Sequence, residues 1–196
     1  MLDYVTAPFL ILAGSLALSP GPLNLISLMF GASRNTTRAA PFVLGGAAGF
    51  GLVWGVAATL ADLMVNVDPS AFEALKLVIL CYFMWLAYGI LRARAPMVGG
   101  CEERQPGPFA GVLVAILNPQ TWITALLISS LFIPQPASPM IGAAFGASYA
   151  AIVLVAAVLW VIMGTLFRTA LCKPKVFGVF RYSSAGILML LGARLI

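Results

Sequence analysis

Two proline breaks within long apolar runs carry the residues of this sequence that are best placed to bind a ligand. The first, Ser19-Pro20-Gly21-Pro22-Leu23-Asn24, lies inside an uncharged run of 30 residues. The second, Asn118-Pro119-Gln120, lies in the middle of another apolar run. Proline removes a backbone donor and clashes with the preceding helical turn. Both breaks therefore predict backbone groups and polar side chains that are free to meet a solute.

The composition places both breaks in a membrane. The chain has 196 residues, of which 62% are hydrophobic and 9% are charged, and its mean hydropathy is +1.04. A soluble domain carries about 25% charged residues, so a chain this apolar is predicted to be an integral membrane protein. At membrane depth, freed backbone groups are tolerated only where protein or a water-filled cavity satisfies them. The breaks thus predict a polar interior.

Six apolar segments predict an all-α membrane protein that forms a single transmembrane domain over residues 1–196. Each span needs roughly 20 mostly apolar residues. The predicted spans cover about Tyr4–Phe30, Ala39–Val65, Phe72–Leu91, Phe109–Phe132, Met140–Phe167 and Val176–Leu195. The first and the fourth spans contain the proline breaks, so each is predicted to be a broken helix.

The six spans divide into two halves, residues 1–92 and 109–196, joined by a polar loop at about 93–108. Both halves begin with a broken span and continue with a span that contains paired small residues. The matching positions are Pro20 with Pro119, Gly45 with Gly142 and Lys76 with Arg181. Because each half has three spans, the second half enters the membrane upside down. Inverted repeats of this kind are typical of secondary transporters.

Glycines spaced four residues apart mark the second and fifth spans. The second span contains Gly45 with Gly49 and Gly51 with Gly55, and the fifth contains Gly142-x-x-x-Gly146. Small residues at this spacing let helix backbones approach closely in a membrane. We therefore expect these spans to pack closely against neighbouring helices.

The basic residues predict the orientation of the chain. Nine of the eleven lie in or beside the loops after the first, third and fifth spans, namely Arg34, Arg38, Arg92, Arg94, Arg104, Arg168, Lys173, Lys175 and Arg181. Basic residues gather in cytoplasmic loops, so both termini are predicted to lie outside. The net charge of +5 has the same explanation, and no nucleic-acid partner is expected. No basic residue precedes the first span, which predicts that this span is retained and not cleaved as a signal peptide.

The chemistry of the breaks suits a zwitterion. A half-helix that begins at the first break exposes unpaired N–H groups and a positive dipole end, which favour a carboxylate. Side-chain amides near both breaks can donate or accept hydrogen bonds toward an ammonium. The alternative is that these side chains only cap the broken helices. The candidate substrate-binding residues are Ser19, Pro20, Gly21, Pro22, Asn24, Asn118, Pro119 and Gln120.

The acidic residues of the sequence lie away from the predicted mid-membrane region. Asp62 and Glu73 fall at span ends. A site for a cation would place a carboxylate inside the membrane despite its cost, so we expect a neutral, zwitterionic or apolar substrate. Asp62 is the only candidate for a proton carrier, although a solvated helix end explains it better.

The motifs at the two breaks resemble those of a known family, the LysE/RhtB amino-acid exporters. Ser19-Pro20-Gly21-Pro22 resembles the family's [ST]-P-G-P signature, and Asn118-Pro119 resembles its N-P motif. The start of the third span through Tyr82, and Gly186 and Gly192 in the sixth span, are also similar. The likeness covers essentially the whole chain in length, span count and motif order.

This resemblance implies proton-driven export of amino acids or their derivatives from a bacterial cytoplasm, and hence a multi-pass protein of the inner membrane. Many members carry an acidic or amide residue after P-G-P, where this chain has Leu23, and a Lys or Asn after N-P, where it has Gln120. The lysine exporters also carry an acidic residue in the second span that is missing here. These departures favour a neutral substrate.

Other functions fit the sequence less well than export of an amino acid. A transmembrane thiol-electron carrier needs two facing cysteines in the spans, and of the three cysteines only Cys81 lies within one. An exporter of metal ions lacks histidines and embedded carboxylates. Export of another small solute, or a structural role without transport, stays open. We expect no enzyme activity, cofactor or bound metal; the lipid bilayer and a small amino acid are the predicted partners, and a homodimer is left open.

Overall fold

The computed structural model describes residues 6–33, 36–61, 106–134, 136–171 and 173–193. It also describes eight helical residues between positions 77 and 92: Leu77, Leu80, Cys81, Met84, Ala87, Tyr88, Leu91 and Arg92. Most of the predicted third span and of the loop at 93–108 lies outside the described residues. So does Asp62, the candidate proton carrier.

The continuous ranges are almost entirely helical. These helices are α1 (Ala7–Leu18), α2 (Pro22–Ala32), α3 (Thr36–Leu60), α4 (Pro108–Ile116), α5 (Pro119–Phe132), α6 (Pro139–Leu166), α7 (Arg168–Leu171) and α8 (Pro174–Ala193). Proline stands at the first position of α2, α4, α5, α6 and α8. Proline suits this position because its fixed φ matches the helix and its missing N–H would be unpaired there anyway.

The predicted breaks in the first and fourth spans are confirmed. The first span consists of α1 and α2, which meet at an angle of 58°, and the fourth consists of α4 and α5, which meet at 63°. The uninterrupted α3 and α6 are each long and apolar enough to cross a membrane. Among the described residues, up to four of the six predicted spans therefore meet the length and hydropathy of a membrane crossing, if each bent pair is one span. Helix α8 covers most of the sixth predicted span but is not one of these four.

The outer surface of this helical assembly is apolar. Large hydrophobic side chains are exposed on several helices, among them Ile11 of α1 (73%), Leu131 of α5 (75%) and Leu166 of α6 (71%). Exposed apolar surface on this scale marks contact with a membrane or a partner. Together with the hydropathy of the helices, it identifies these faces as lipid-facing.

Helices α3 and α6 pack backbone against backbone at their glycines. A Cβ atom on Gly146 would overlap the carbonyl oxygen of Gly51, and one on Gly142 would lie 2.7 Å from the carbonyl oxygen of Gly55. The pairing runs in opposite directions along the two helices, so α3 and α6 are antiparallel. The close approach predicted from the glycine spacing is confirmed.

The other glycine pair of α3 contacts a different helix. A Cβ on Gly45 would overlap the carbonyl oxygen of Pro108, and one on Gly49 would lie 2.9 Å from Val112. Helices α3 and α4 therefore run in the same direction. Helix α2 packs on α6 in a similar way, because a Cβ on Gly164 would overlap a backbone carbonyl of α2. Glycine contacts thus bring both broken spans against the α3–α6 pair.

These contacts predict opposite effects for the same substitution at two glycines. Gly146→Ala forces a methyl group into the backbone of α3, and overpacking of this kind costs about 1–3 kcal/mol. Gly14→Ala is the matched control, because no described atom lies within 4 Å of its added Cβ. Alanine in an open helical position gains roughly 0.5–1 kcal/mol over glycine. Thermal unfolding in detergent should show a lower Tm for Gly146→Ala and an equal or higher Tm for Gly14→Ala; equal values for both variants would contradict the close contact.

Candidate functional site

The first break is closed on its α1 side by a side chain from α2. Asn24 is 5% exposed, and its Nδ2 donates to the carbonyl oxygen of Ala17 at 2.6 Å and to that of Ser19 at 2.7 Å. The N–H of Gly21 also donates to the Ser19 carbonyl at 2.7 Å. Carbonyl groups at the end of a helix have no intrahelical partner. Asn24 therefore supplies donors that the end of α1 needs in an apolar environment.

The α2 side of the same break is left uncapped. Its N-cap residue, Gly21, has extended backbone and provides no side-chain hydrogen bond to the helix. Pro22 at the first position has no N–H, while the N–H groups of Leu23 and Asn24 lack intrahelical acceptors. These two donors lie at the positive end of the helix dipole. The start of α2 therefore offers hydrogen-bond donors to an anionic group.

The second break has its donors satisfied by the protein itself. Asn118 is the N-cap of α5, and its Oδ1 accepts from the N–H of Gln120 at 3.0 Å. The N–H of Thr121 donates to the Asn118 carbonyl oxygen at 3.0 Å. On the α4 side, Nε1 of Trp122 donates to the carbonyl oxygen of Ile116 at 2.9 Å. The two breaks are thus similar in shape but differ in the donors they leave free.

Both breaks line the same cavity, which has a volume of about 70 Å³. Six of the eight candidate residues lie in its wall: Ser19, Gly21, Pro22, Asn24, Asn118 and Gln120. Pro20 and Pro119 are not among the lining residues. A single buried water needs roughly 10–15 Å³, so the cavity has room for more than one water. Residues nearly 100 positions apart in the sequence are therefore brought together at one polar cavity.

Several lining residues were missed by the sequence analysis. They are Leu16, Ala17, Leu23, Phe50, Thr121, Thr124, Tyr149 and Val153. Thr121 and Thr124 follow Gln120 at helical spacing, so the periodicity of a helix that begins at Pro119 could have identified them. Phe50 and Tyr149 belong to α3 and α6, and no local sequence pattern marks them.

An aromatic cluster lies beside one end of the cavity. The ring of Tyr149 stacks on Trp54 with centroids 3.5 Å apart and planes at 11°. Phe145 lies 5.5 Å from Trp54 and 5.2 Å from Phe9, and Phe9 lies 5.6 Å from Phe132. Trp54, Phe9 and Phe145 are fully buried. Along antiparallel α3 and α6, Trp54 and Phe145 lie one turn beyond the cavity residues Phe50 and Tyr149, on the side of the α1 N-terminus.

Of the described residues that line the cavity, none is charged, and the amides, hydroxyls and backbone groups share the wall with apolar side chains such as Phe50 and Val153. Among the described residues, no group of three or more His, Cys, Asp or Glu could hold a metal ion. All six acidic residues of the chain lie outside the described part. The arrangement is suited to bind a small polar solute by hydrogen bonds and the dipole of α2.

These observations define a multi-pass helical membrane protein whose two broken spans share a polar cavity. The family model described as LysE type translocator matches residues 14–196. The chain therefore belongs to the LysE type translocator family, and the resemblance seen in the proline motifs is confirmed. No curated protein and no solved structure matches the chain. Membership in this transporter family implies a membrane exporter of amino acids or related solutes.

Proposed function

We propose that this protein is a proton-coupled secondary exporter of a neutral amino acid, or a neutral derivative of one, and that the solute binds between the two proline breaks. One observation carries the proposal: the break at Ser19–Pro22 and the break at Asn118–Pro119 line a single cavity inside the membrane protein. In transporters, interrupted helices in matching positions of two halves are the best indication of the binding site.

The chemistry of the cavity supports a zwitterionic solute of neutral overall charge. The uncapped start of α2 suits a carboxylate, because free N–H groups and the helix dipole both favour negative charge there. The Gln120 side chain and the Ser19 hydroxyl group extend the polar lining. Among the described residues, no lysine, arginine, aspartate or glutamate lines the cavity, so the described wall has no partner for a charged substrate side chain. The volume of about 70 Å³ is well below the roughly 300–1,000 Å³ of pockets for drug-sized ligands, which favours a small solute.

An inverted repeat accounts for the similarity of the two breaks. The first helical residues after them, Pro22 and Pro119, are 97 positions apart. The Ser27 hydroxyl donates to the Leu23 carbonyl oxygen, and the Thr124 hydroxyl donates to the Gln120 carbonyl oxygen. Both the donors and the acceptors of these two hydrogen bonds are again 97 positions apart. This register equates Pro22 with Pro119, in place of the Pro20–Pro119 match used in the sequence comparison.

The glycine contacts support the same repeat with a corrected pairing. Gly51 contacts Gly146 and Gly55 contacts Gly142. Gly142 and Gly146 lie 91 positions after Gly51 and Gly55, respectively. If the two halves are exchanged, the contact between Gly51 and Gly146 therefore becomes the contact between Gly142 and Gly55. The equivalent pairs are then Gly51-x-x-x-Gly55 and Gly142-x-x-x-Gly146. Gly45-x-x-x-Gly49, which the sequence comparison had matched to the second pair, contacts α4 instead.

The aromatic cluster supports alternating access by movement of one half against the other. Each of its ring contacts joins a residue of the first half to a residue of the second: Phe9 with Phe132 and Phe145, Trp54 with Phe145 and Tyr149, and Phe50 with Tyr149. Rocking the halves apart would separate these rings and open that end of the cavity. We infer that the cluster is the closed gate of this conformation.

We further propose that both termini lie outside the bacterial plasma membrane, since nine of the eleven basic residues lie in or beside the loops on the opposite side. The aromatic gate is then the outer gate. Alkaline phosphatase fused after Ile196 should be active, because this enzyme works only outside the cytoplasm. Fusion after residue 104 should be inactive, and the reverse pattern would contradict the orientation.

Transport by the purified protein tests the function itself. The protein is placed in liposomes loaded with a neutral amino acid, and counterflow of radiolabelled glycine, L-alanine, L-threonine, L-leucine and L-lysine is measured. We expect counterflow of at least one neutral amino acid, little of L-lysine, and stimulation by a proton gradient. The absence of counterflow for every amino acid would contradict the proposal and favour a structural role.

Variants at the breaks test whether the cavity is the route. Pro20→Leu and Asn118→Leu should insert into membranes but lose most counterflow, because one change removes the fixed φ angle that holds the turn between α1 and α2 and the other removes the cap of α5. Pro136→Leu is the matched control, since this proline is exposed in the turn before α6. If both break variants transport at the wild-type rate, the site assignment is wrong.

A further inference from the structure

We propose that the Thr121 hydroxyl is a solute-binding group that, with the uncapped start of α2, holds the carboxylate of the substrate. This inference rests on the proposed function and adds a residue and a chemical role to it. Thr121 is 3% exposed and lies in the wall of the cavity shared by the two breaks. Its Oγ1 is buried and has no hydrogen-bond partner in the part of the chain that the structure describes.

The free hydroxyl of Thr121 differs from the other buried hydroxyls nearby. Ser27 Oγ donates to the Leu23 carbonyl oxygen at 2.8 Å, and Ser129 Oγ donates to the Ala125 carbonyl oxygen at 2.6 Å. In apolar surroundings such bonds to the preceding turn satisfy the hydroxyl without an external partner. For Thr121, the turn before it is the break itself, and the Asn118 carbonyl oxygen already accepts the Thr121 N–H. The position of Thr121 at the break therefore leaves its hydroxyl for another partner.

A buried hydroxyl without a partner destabilises the protein relative to one that is bonded. A polar group inside the cavity can relieve this penalty, since Thr121 lines the cavity wall. Buried polar groups without partners in native proteins call for an explanation such as a role in function or an occupant of the site. In a transporter that binds its solute only part of the time, the solute is the natural occupant.

The start of α2 lies at the same cavity as Thr121, and its position indicates that the Thr121 hydroxyl binds the carboxylate of the solute. Leu23 and Asn24, whose N–H groups lack intrahelical acceptors, line the same cavity as Thr121. A carboxylate has two oxygens that only accept hydrogen bonds. One oxygen can accept from the α2 N–H groups while the other accepts from the Thr121 hydroxyl. The second break, whose own N–H donors are capped by Asn118, thus contributes to carboxylate recognition through a side chain.

Two variants of Thr121 distinguish the effect of its hydroxyl group from the effect of its shape. Thr121→Val keeps the size of the side chain and removes the donor, whereas Thr121→Ser keeps the donor. Thr165→Val is the matched control, because the Thr165 hydroxyl is bonded to its own helix at the Val161 and Ile162 carbonyl oxygens. Thr165 does not line the cavity.

The measurement is the apparent KM for counterflow in liposomes, with glycine, L-alanine, L-threonine and L-leucine as probes. Loss of a hydrogen bond to a charged group should raise KM about 10-fold or more in Thr121→Val. Thr121→Ser should stay within about threefold of wild type, and Thr165→Val should match wild type. If wild type transports a probe and Thr121→Val transports it with an unchanged KM, the role of Thr121 is refuted while the transport function stands. If wild type transports none of the probes, the proposed function fails first.

Competition by L-alaninamide, which lacks the carboxylate, tests the chemical role. Wild type should select L-alanine over L-alaninamide, and Thr121→Val should lose about 10-fold of this selectivity. An equal loss of affinity for both compounds would overturn the carboxylate assignment.

Thermal unfolding without substrate gives a readout that does not depend on transport. Thr121→Val should melt at or above the wild-type temperature, because it removes an unpaired buried hydroxyl and no protein hydrogen bond. A markedly lower Tm would mean that the hydroxyl has a protein partner, and would overturn the proposal.

Discussion

The structure depends on one constraint, which is that backbone groups freed by the proline breaks must find partners inside the protein. Water is absent from the hydrocarbon region, so an unpaired carbonyl or N–H at that depth is costly. Asn24 satisfies the end of α1, Trp122 contacts the end of α4, and Asn118 caps the start of α5. The start of α2 alone among these four helix ends has no side-chain cap, and it lies against a cavity. Of these four helix ends, the one without a side-chain cap thus offers its backbone donors beside the cavity.

The glycine contacts let the helices approach closely enough for both broken spans to reach the same cavity. Gly51 and Gly55 allow α3 to lie directly on α6, and other glycines bring α4 and α2 against this pair. With the helices this close, the polar starts of α2 and α5 reach the same cavity. The aromatic rings on the adjoining turns of α3 and α6 then pack against one another beside the cavity. The packing of the helices and the position of the cavity therefore depend on a small number of backbone contacts.

Much of this organisation could be predicted from the sequence because it depends on local backbone chemistry. The breaks follow from Pro22 and Pro119, whose rings stop the preceding helix and start the next. The close helix contacts follow from the spacing of the glycines. The partners of each glycine, by contrast, depend on which helices meet, so the sequence could not show that Gly45 contacts α4 whereas Gly142 contacts α3. Tyr149 could not be predicted as a cavity residue for the same reason, since only the packing of α6 beside α3 brings it there.

If both breaks face one hydrated cavity, cysteines placed at each break should react with a water-soluble thiol reagent. In a variant with Cys81, Cys101 and Cys172 changed to serine, single Ser19→Cys and Gln120→Cys changes are treated with a membrane-impermeant methanethiosulfonate. The reagent reacts with the thiolate, which needs water. We predict that both cysteines react and that Val155→Cys, which is 61% exposed on the apolar outer face, does not. Unreactive cysteines at both breaks would contradict the shared cavity.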